Sequence, residues 1–312
     1  LAENSVNRRF DQIVAAVGDL EKVQGKISSI YGLQHWTKGN IYGCPSRSTW
    51  MKDIELVLIQ PGEESSIWRE FADKYGQGIC CVRENLPADR WQAEIDRYSA
   101  MGIPVSMPED ETGKTVVLDT LDRIGGLIAL HLDSDTRKPQ PDRERNNRTL
   151  SQINITTTNV EDTCDQLIEL LQIGPFSVGT LNNQSVKNAS LLVNGMQSTP
   201  EFSFQLAIMK AGNLEFEVIQ PVKGPTVYQS FINRRGTGYH HIKEVVPPEE
   251  LESTLRGYVE KGMPICIRGT VDITSFAYID SERDFTFYVE FGDGLVPEKF
   301  PEGYNEYIYP AE

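Results

Sequence analysis

The sequence predicts an α+β fold built from two tandem copies of one unit, and three observations predict it. The first is a repeat. Ile54-Glu55-Leu56-Val57-Leu58-Ile59-Gln60-Pro61 returns as Leu214-Glu215-Phe216-Glu217-Val218-Ile219-Gln220-Pro221, Gly76-Gln77-Gly78-Ile79-Cys80-Cys81-Val82 as Gly236-Thr237-Gly238-Tyr239-His240-His241-Ile242, and Tyr98 to Pro104 as Tyr258 to Pro264. Pro221, Gly236 and Pro264 each lie 160 residues beyond their counterparts Pro61, Gly76 and Pro104, so the copies keep one register through this stretch. The second is a succession of short β-rich runs and amphipathic helices that reads βαβββ twice in each copy. The third is the polar stretch Asp133 to Leu150, with two prolines and no apolar periodicity, which reads as an exposed linker between the copies.

Taken in order, Phe10 to Val17 is strand-like and Asp19 is placed to cap the helix that follows. Ser151 to Thr157 matches that strand in the second copy, with Asp162 or Thr163 expected as the cap of a helix from Thr163 to Leu171. Cys164, Leu167, Ile168 and Leu171 share one face of it. Ser203 to Ile208 and Leu214 to Ile219 are joined by Lys210-Ala211-Gly212-Asn213, a hairpin signal. Pro247 to Gly262 is a helix with Leu251, Leu255 and Tyr258 at helical spacing. Thr274 to Ile279 and Phe285 to Phe291 are strands, joined by the polar turn Asp280 to Asp284. The expected organisation is therefore a first unit over 8–133, a linker over 134–150, a second unit over 151–296 and an extended tail over 297–312.

The composition narrows the function. With 39% hydrophobic and 24% charged residues, the chain is an ordinary globular one. It has no run of eighteen apolar residues, so no membrane-spanning helix is expected. Leu1-Ala2-Glu3-Asn4 shows neither the basic nor the apolar region of a signal peptide. A net charge of −15 repels phosphate backbones and argues against nucleic-acid partners. The five cysteines fit free thiols in a reducing compartment, so a cytoplasmic location is expected. A homodimer is left open.

The scaffold residues persist between the copies while the reactive ones change. Val57 becomes Glu217 and Cys81 becomes His241. Of the four histidines, His240 and His241 are adjacent in an apparent strand. Successive strand side chains point to opposite faces, so the two cannot both serve one metal. Glu215 and Glu217 share a strand face, and Glu290 sits in the apolar run Tyr288-Val289-Glu290-Phe291. A carboxylate on a buried sheet face is costly unless it is paired or bound to a cation.

The run Asn213 to Pro221 followed by Phe231 to Ile242, with its Gly-x-Gly-x-His-His-Ile segment, resembles the vicinal oxygen chelate superfamily, in particular its glyoxalase and methylmalonyl-CoA epimerase branch. The resemblance covers both copies. It implies tandem domains in which paired βαβββ modules form a curved, cup-shaped mixed sheet around one divalent metal, with ligands from the first and last strands of each module. Carried over position by position, it implies Gln152, Glu217, His241 and Glu290 as metal ligands. In the first copy the same positions fall on Gln12, Val57, Cys81 and Ala129, the last after a slip of one residue, and that copy is expected to lack a metal. Its Cys80-Cys81 pair then reads as apolar filling.

Three oxygen donors and one imidazole suit Zn, Mn, Co, Ni, Fe(II) or Mg. What the resemblance implies is an isomerase or epimerase that removes a proton α to the carbonyl of a small-molecule substrate through a metal-stabilised enolate. Glu290 is the first candidate for the base and Glu215 the second, while His240 reads as structural. A lyase by the same route is the nearest alternative. An extradiol-type dioxygenase and a metal-free small-molecule binding protein follow. Tyr239, Phe204, Phe276, Tyr278 and Phe287 could line an aromatic pocket or belong to the core, and Arg268 could pair a substrate carboxylate.

Overall fold

The computed structural model describes residues 5–107, 114–133, 146–293 and 307–311. The chain divides into two compact units, one of residues Asn7–Thr149 and one of Leu150–Glu312 joined by Leu1–Val6. The bulk of the stretch read as a linker lies outside the described residues. Its ends are structured: Asp133 closes a strand, Thr149 and Leu150 open another, and Asn146 is anchored by bonds to Gln34, Thr49 and Trp50.

The first unit runs β1 (Phe10–Ala16), α1 (Leu20–Lys26), β2 (Thr37–Ile41), β3 (Cys44–Met51), β4 (Ile54–Ile59), α2 (Ile67–Tyr75), β5 (Gly78–Pro87), α3 (Ala88–Ala100), β6 (Val105–Ser106), β7 (Thr115–Leu118), α4 (Leu121–Ile124) and β8 (Leu127–Asp133). These strands form one sheet in the order β2-β3-β4-β1-β5-β8-β7-β6. Asp19 caps α1 by accepting from the Lys22 amide, and Ser66 caps α2 in the same way from Arg69. The strands β1 and β4 are buried along their whole length because helices cover one face and the inside of the curved sheet is itself filled. The filling is apolar: Val14, Val57, Cys81 and Ala129 pack with Tyr42 and Trp68, whose rings stack at 5.0 Å. Both Cys80 and Cys81 are fully buried free thiols in that cluster, and burial raises both thiols, which keeps them protonated.

The second unit runs β9 (Thr149–Thr156), α5 (Val160–Leu171), β10 (Phe176–Asn182), β11 (Val186–Val193), β12 (Met196–Ser198), β13 (Ser203–Ala211), β14 (Leu214–Lys223), α6 (Val227–Arg235), β15 (Gly238–Val245), α7 (Pro248–Glu260), β16 (Ile265–Val271), β17 (Thr274–Ile279), α8 (Glu282–Phe285), β18 (Tyr288–Gly292) and β19 (Tyr307–Tyr309). Its sheet has the order β12-β11-β16-β17-β18-β15-β9-β14-β13-β10-β19. Relative to the first unit it gains the β11–β12 hairpin, which pairs onto β16. It also gains β19, the described part of the tail, which pairs onto β10.

Two expected boundaries move. Asn159, not Asp162 or Thr163, caps α5: its side chain accepts from the Glu161 and Asp162 amides, which starts the helix at Val160. The turn expected at Asp280 to Asp284 is in part the short helix α8, with Thr286 in a left-handed conformation at its C-cap, so β18 begins at Tyr288 and not at Phe285. Among the described residues no helix is long and apolar enough to cross a membrane.

Candidate metal centre

Four adjacent strands at the middle of the second sheet, β18, β15, β9 and β14, carry Glu290, His241, Gln152 and Glu217 in that order. Strand register does the positioning. Asn154 lies opposite Glu217 and Gln152 opposite Glu215 across the parallel β9–β14 pair; Lys243 and Tyr278 lie opposite Glu290 on its two flanking strands. Strand alternation then turns residues 241 and 243 to one face, as it does 215 and 217.

Glu217, His241 and Glu290 each offer a ligand atom, all within 4.8 Å of one another and all buried. His241 Nε2 stands 3.1 Å from an oxygen of Glu217 and 3.1 Å from Oε2 of Glu290. The Tyr278 hydroxyl donates to the same Glu290 oxygen at 2.8 Å, and the Gln152 amide approaches it at 3.5 Å. Asn154 donates to Glu217 Oε2 at 2.9 Å and accepts from Thr156. The other nitrogen of His241 faces Nδ1 of His240 at 2.8 Å. His240 is not turned out to solvent. It is buried and held by Phe231 and Tyr288, with ring centroids 4.9 and 4.8 Å away, so it orients His241 and does not face the carboxylates.

The electrostatics follow from burial and pairing. Burial alone would raise the Glu290 carboxyl, but the Lys243 ammonium, His241 and Tyr278 bring it down to about 2. Burial would lower the His241 imidazole, and its bonds to Glu217 and Glu290 raise it instead. His240 is pushed well below the usual imidazole range, by burial first and by His241 next. Burial pushes Glu215 up to about 8, so at neutral pH it is largely a neutral acid.

A cavity of about 80 Å³ opens over this group. Glu217, Glu290, Lys243, Tyr278 and Tyr228 give it a polar end, and Phe204, Leu206, Ile208 and Phe276 are among its apolar walls. Of the aromatic residues considered from the sequence, Phe204, Phe276 and Tyr278 line it; Tyr239 and Phe287 are buried away from it. Glu215 is buried but does not line it. Arg268 pairs with Glu252 at the surface and is not in its lining.

The donor set fits a divalent cation, and the two copies show why. In the first unit Gln12 has both ends of its amide satisfied: Nε2 donates to Glu55 at 2.9 Å and Oε1 accepts from Tyr42 at 2.6 Å. In the second unit the matching pair is not made. Gln152 Nε2 faces Glu290, and both Gln152 Oε1 and Glu215 Oε2 are buried without a hydrogen-bond partner. A buried amide oxygen left so beside two carboxylates and an imidazole is a donor that a cation would satisfy.

No family model and no curated protein sequence matches the chain. Solved structures do. A triple mutant of 4-hydroxymandelate synthase from Streptomyces coelicolor superimposes with a TM-score of 0.64 at 12% identity, over 91% of this chain and 92% of that one. A halotolerant catechol dioxygenase, BphC, gives 0.55 at 14% identity over 92% and 87%. A fusion of a xylose isomerase-like TIM barrel and a 4-hydroxyphenylpyruvate dioxygenase gives 0.57 at 13%, over 93% of this chain and 50% of the fusion. The chain has the vicinal oxygen chelate fold.

Within the vicinal oxygen chelate fold the structure brings Gln152, Glu217, His241 and Glu290 together and keeps Glu215 buried on the same strand face as Glu217 but outside the cavity lining. Sequence reasoning missed Asn154, Lys243 and the hydroxyl of Tyr278. Asn154 was within reach: at the offset that matches Gln12 to Gln152 it replaces Val14, another apolar residue changed to a polar one. Lys243 gave no such signal, because Arg83 is basic too and a strand lysine reads as solvent-facing.

Proposed function

We propose that the second unit binds one divalent cation through Gln152, Glu217, His241 and Glu290 and moves a proton at the carbon next to the carbonyl of a small, largely apolar substrate, as an isomerase or epimerase does. The observation that carries this reading is a buried group of one imidazole and two carboxylates whose carboxylates, Glu217 and Glu290, line the polar end of an otherwise apolar cavity. A divalent cation held there supplies Lewis-acid polarisation of the carbonyl oxygen. Glu290 is the base: it lines the cavity and is anionic at neutral pH. Glu215, at about 8, is better matched in acidity, yet it stands outside the lining, and a base must first reach its proton. The Tyr278 hydroxyl, bonded to Glu290 Oε2, keeps that oxygen turned to the group. The apolar walls exclude water from the reacting carbon. The cavity is well below the roughly 300 Å³ at which sites for drug-sized ligands begin, which favours a small reacting group.

A second reading, oxygenation of a catechol-like substrate, is favoured by the similar structures, two of which contain dioxygenases matched along nearly the whole of this chain. The donor set weighs against it. Non-haem iron oxygenases use two histidines and one carboxylate, whereas here one imidazole faces two carboxylates. The test incubates the metal-loaded protein in D2O with a panel of small ketones and 2-oxo compounds and follows deuterium incorporation by NMR. The proton-transfer reading expects exchange at the α carbon and its loss in Glu290→Gln. Oxygen uptake with Fe(II) and a catechol, without exchange in any panel member, would replace it with the second reading.

A further inference from the structure

Lys243 stands two residues beyond His241 on β15 and is buried, with its ammonium 3.2 Å from Oε1 of Glu290. The two oxygens of Glu290 therefore have different partners: Oε1 has the ammonium, while Oε2 has His241 and Tyr278. The path of the lysine stem depends on Gly292. A Cβ at that position would lie 2.8 Å from Lys243 Cε, closer than real Cβ contacts come, so the flexible end of the lysine would have to shift; it would also lie tightly at 3.3 Å from Nζ and 3.2 Å from the Ser275 carbonyl oxygen. Gly292 has no left-handed backbone that would call for glycine, so the requirement is space and not conformation.

The first unit supplies the contrast. There the matching cation is Arg83 and the position matching Glu290 is Ala129, and Arg83 forms two bonds to Asp11 instead, at 2.8 and 2.9 Å. Asp11 corresponds to Ser151 in the second unit, which offers no carboxylate. The cation of the second unit thus pairs within the candidate site, where that of the first pairs with Asp11.

We infer that Lys243 is a positioning residue of the metal centre, which takes one oxygen of Glu290 and leaves the other facing His241, and that Gly292 keeps its path open. The inference rests on the metal-binding reading proposed above. Its test is a double-mutant cycle of Gly292→Ala and Lys243→Ala, with Co(II) as the probe and both its dissociation constant and its visible absorption as readouts. Gly292→Ala keeps the ammonium but displaces it. It is expected to weaken Co(II) binding by about 10- to 100-fold, the usual effect of losing a residue that orients a metal ligand, and to change the absorption as Glu290 is freed. With Lys243→Ala already present, adding Gly292→Ala should change the affinity by no more than about twofold, because the clash has gone.

Equal losses in both backgrounds would mean that Gly292 acts through the backbone or Ser275, and would overturn the inference. So would a Lys243→Ala protein with the affinity and spectrum of the wild type. Should Lys243→Ala fail to fold, Gly292→Ala alone decides, and an unchanged spectrum there overturns it. A wild-type protein that takes up no Co(II) defeats the metal reading and the inference together, whereas wild-type uptake with indifferent variants defeats the inference alone.

Discussion

His241→Ala is expected to cost the second unit roughly a hundredfold or more in divalent-cation affinity, since protein zinc sites worth about 10 kcal/mol or more draw on four ligands and this variant removes one of them. Equilibrium dialysis against Zn(II) or Co(II) reads the loss. A second effect appears without metal. Nε2 of His241 is the group between Glu217 and Glu290 at 3.1 Å from each, and its removal leaves two buried carboxylates facing each other. Breaking a buried pair in this way costs about 3–5 kcal/mol. All four tryptophans, Trp36, Trp50, Trp68 and Trp91, lie in the first unit, so this loss must be followed by far-UV circular dichroism and not by tryptophan fluorescence. Unchanged affinity and an unchanged unfolding midpoint in His241→Ala would remove His241 from the site.

Asp11→Asn is expected to destabilise the first unit by about 3–5 kcal/mol at neutral pH, because it leaves the buried Arg83 guanidinium without its carboxylate. Here tryptophan fluorescence is the right probe. The sign of the pH dependence follows from the pair. Burial would raise the Asp11 carboxyl, and the charge and hydrogen bonds of Arg83 more than reverse that and hold it below its ordinary value. The stabilisation is then complete above the ordinary carboxyl range, near 3.9, and is lost as pH falls through the lower folded value. Wild type and Asp11→Asn should therefore converge in urea midpoint in acid and diverge as pH rises. Curves that stay parallel across that range would show that the pair contributes nothing that titrates.

The two effects describe different solutions to one architectural problem. A curved sheet has an inside that must be filled. The first unit fills it with Val57, Cys81, Ala129 and the Tyr42–Trp68 stack, a fully buried side chain of Val size contributing about 1.5–3 kcal/mol. At the positions of Val57, Cys81 and Ala129 the second unit sets Glu217, His241 and Glu290, an arrangement that costs stability unless it is paired or bound to a cation.

The β-strand framework and the contrast between the copies were legible in the sequence because alternation and a fixed 160-residue offset are properties of the chain itself. Glu217, His241 and Glu290 were legible for a related reason: each is a polar residue in an apolar strand where the other copy has an apolar one. The role of Gly292 was not. It depends on a stem from a neighbouring strand crossing that position, and a glycine at the end of a strand otherwise reads as a stop. Asn159 as the cap of α5 was missed because Asp162 and Thr163 follow within four residues and compete as caps by type; only the backbone conformation distinguishes them. The β11–β12 hairpin accounts for the shift in offset from 140 at Gln152 to 160 at Glu215, but its pairing onto β16 is a long-range choice that local pattern does not encode.

If the proposed site is right, one copy holds a cation and the other does not. Elemental analysis of the chain after exposure to Zn, Mn, Co, Ni, Fe(II) and Mg, and then gel filtration, tests it most directly. One ion per chain is expected for at least one of these metals, and none in Glu217→Ala. No ion in the wild type, two per chain, or an undiminished ion content in Glu217→Ala would contradict it.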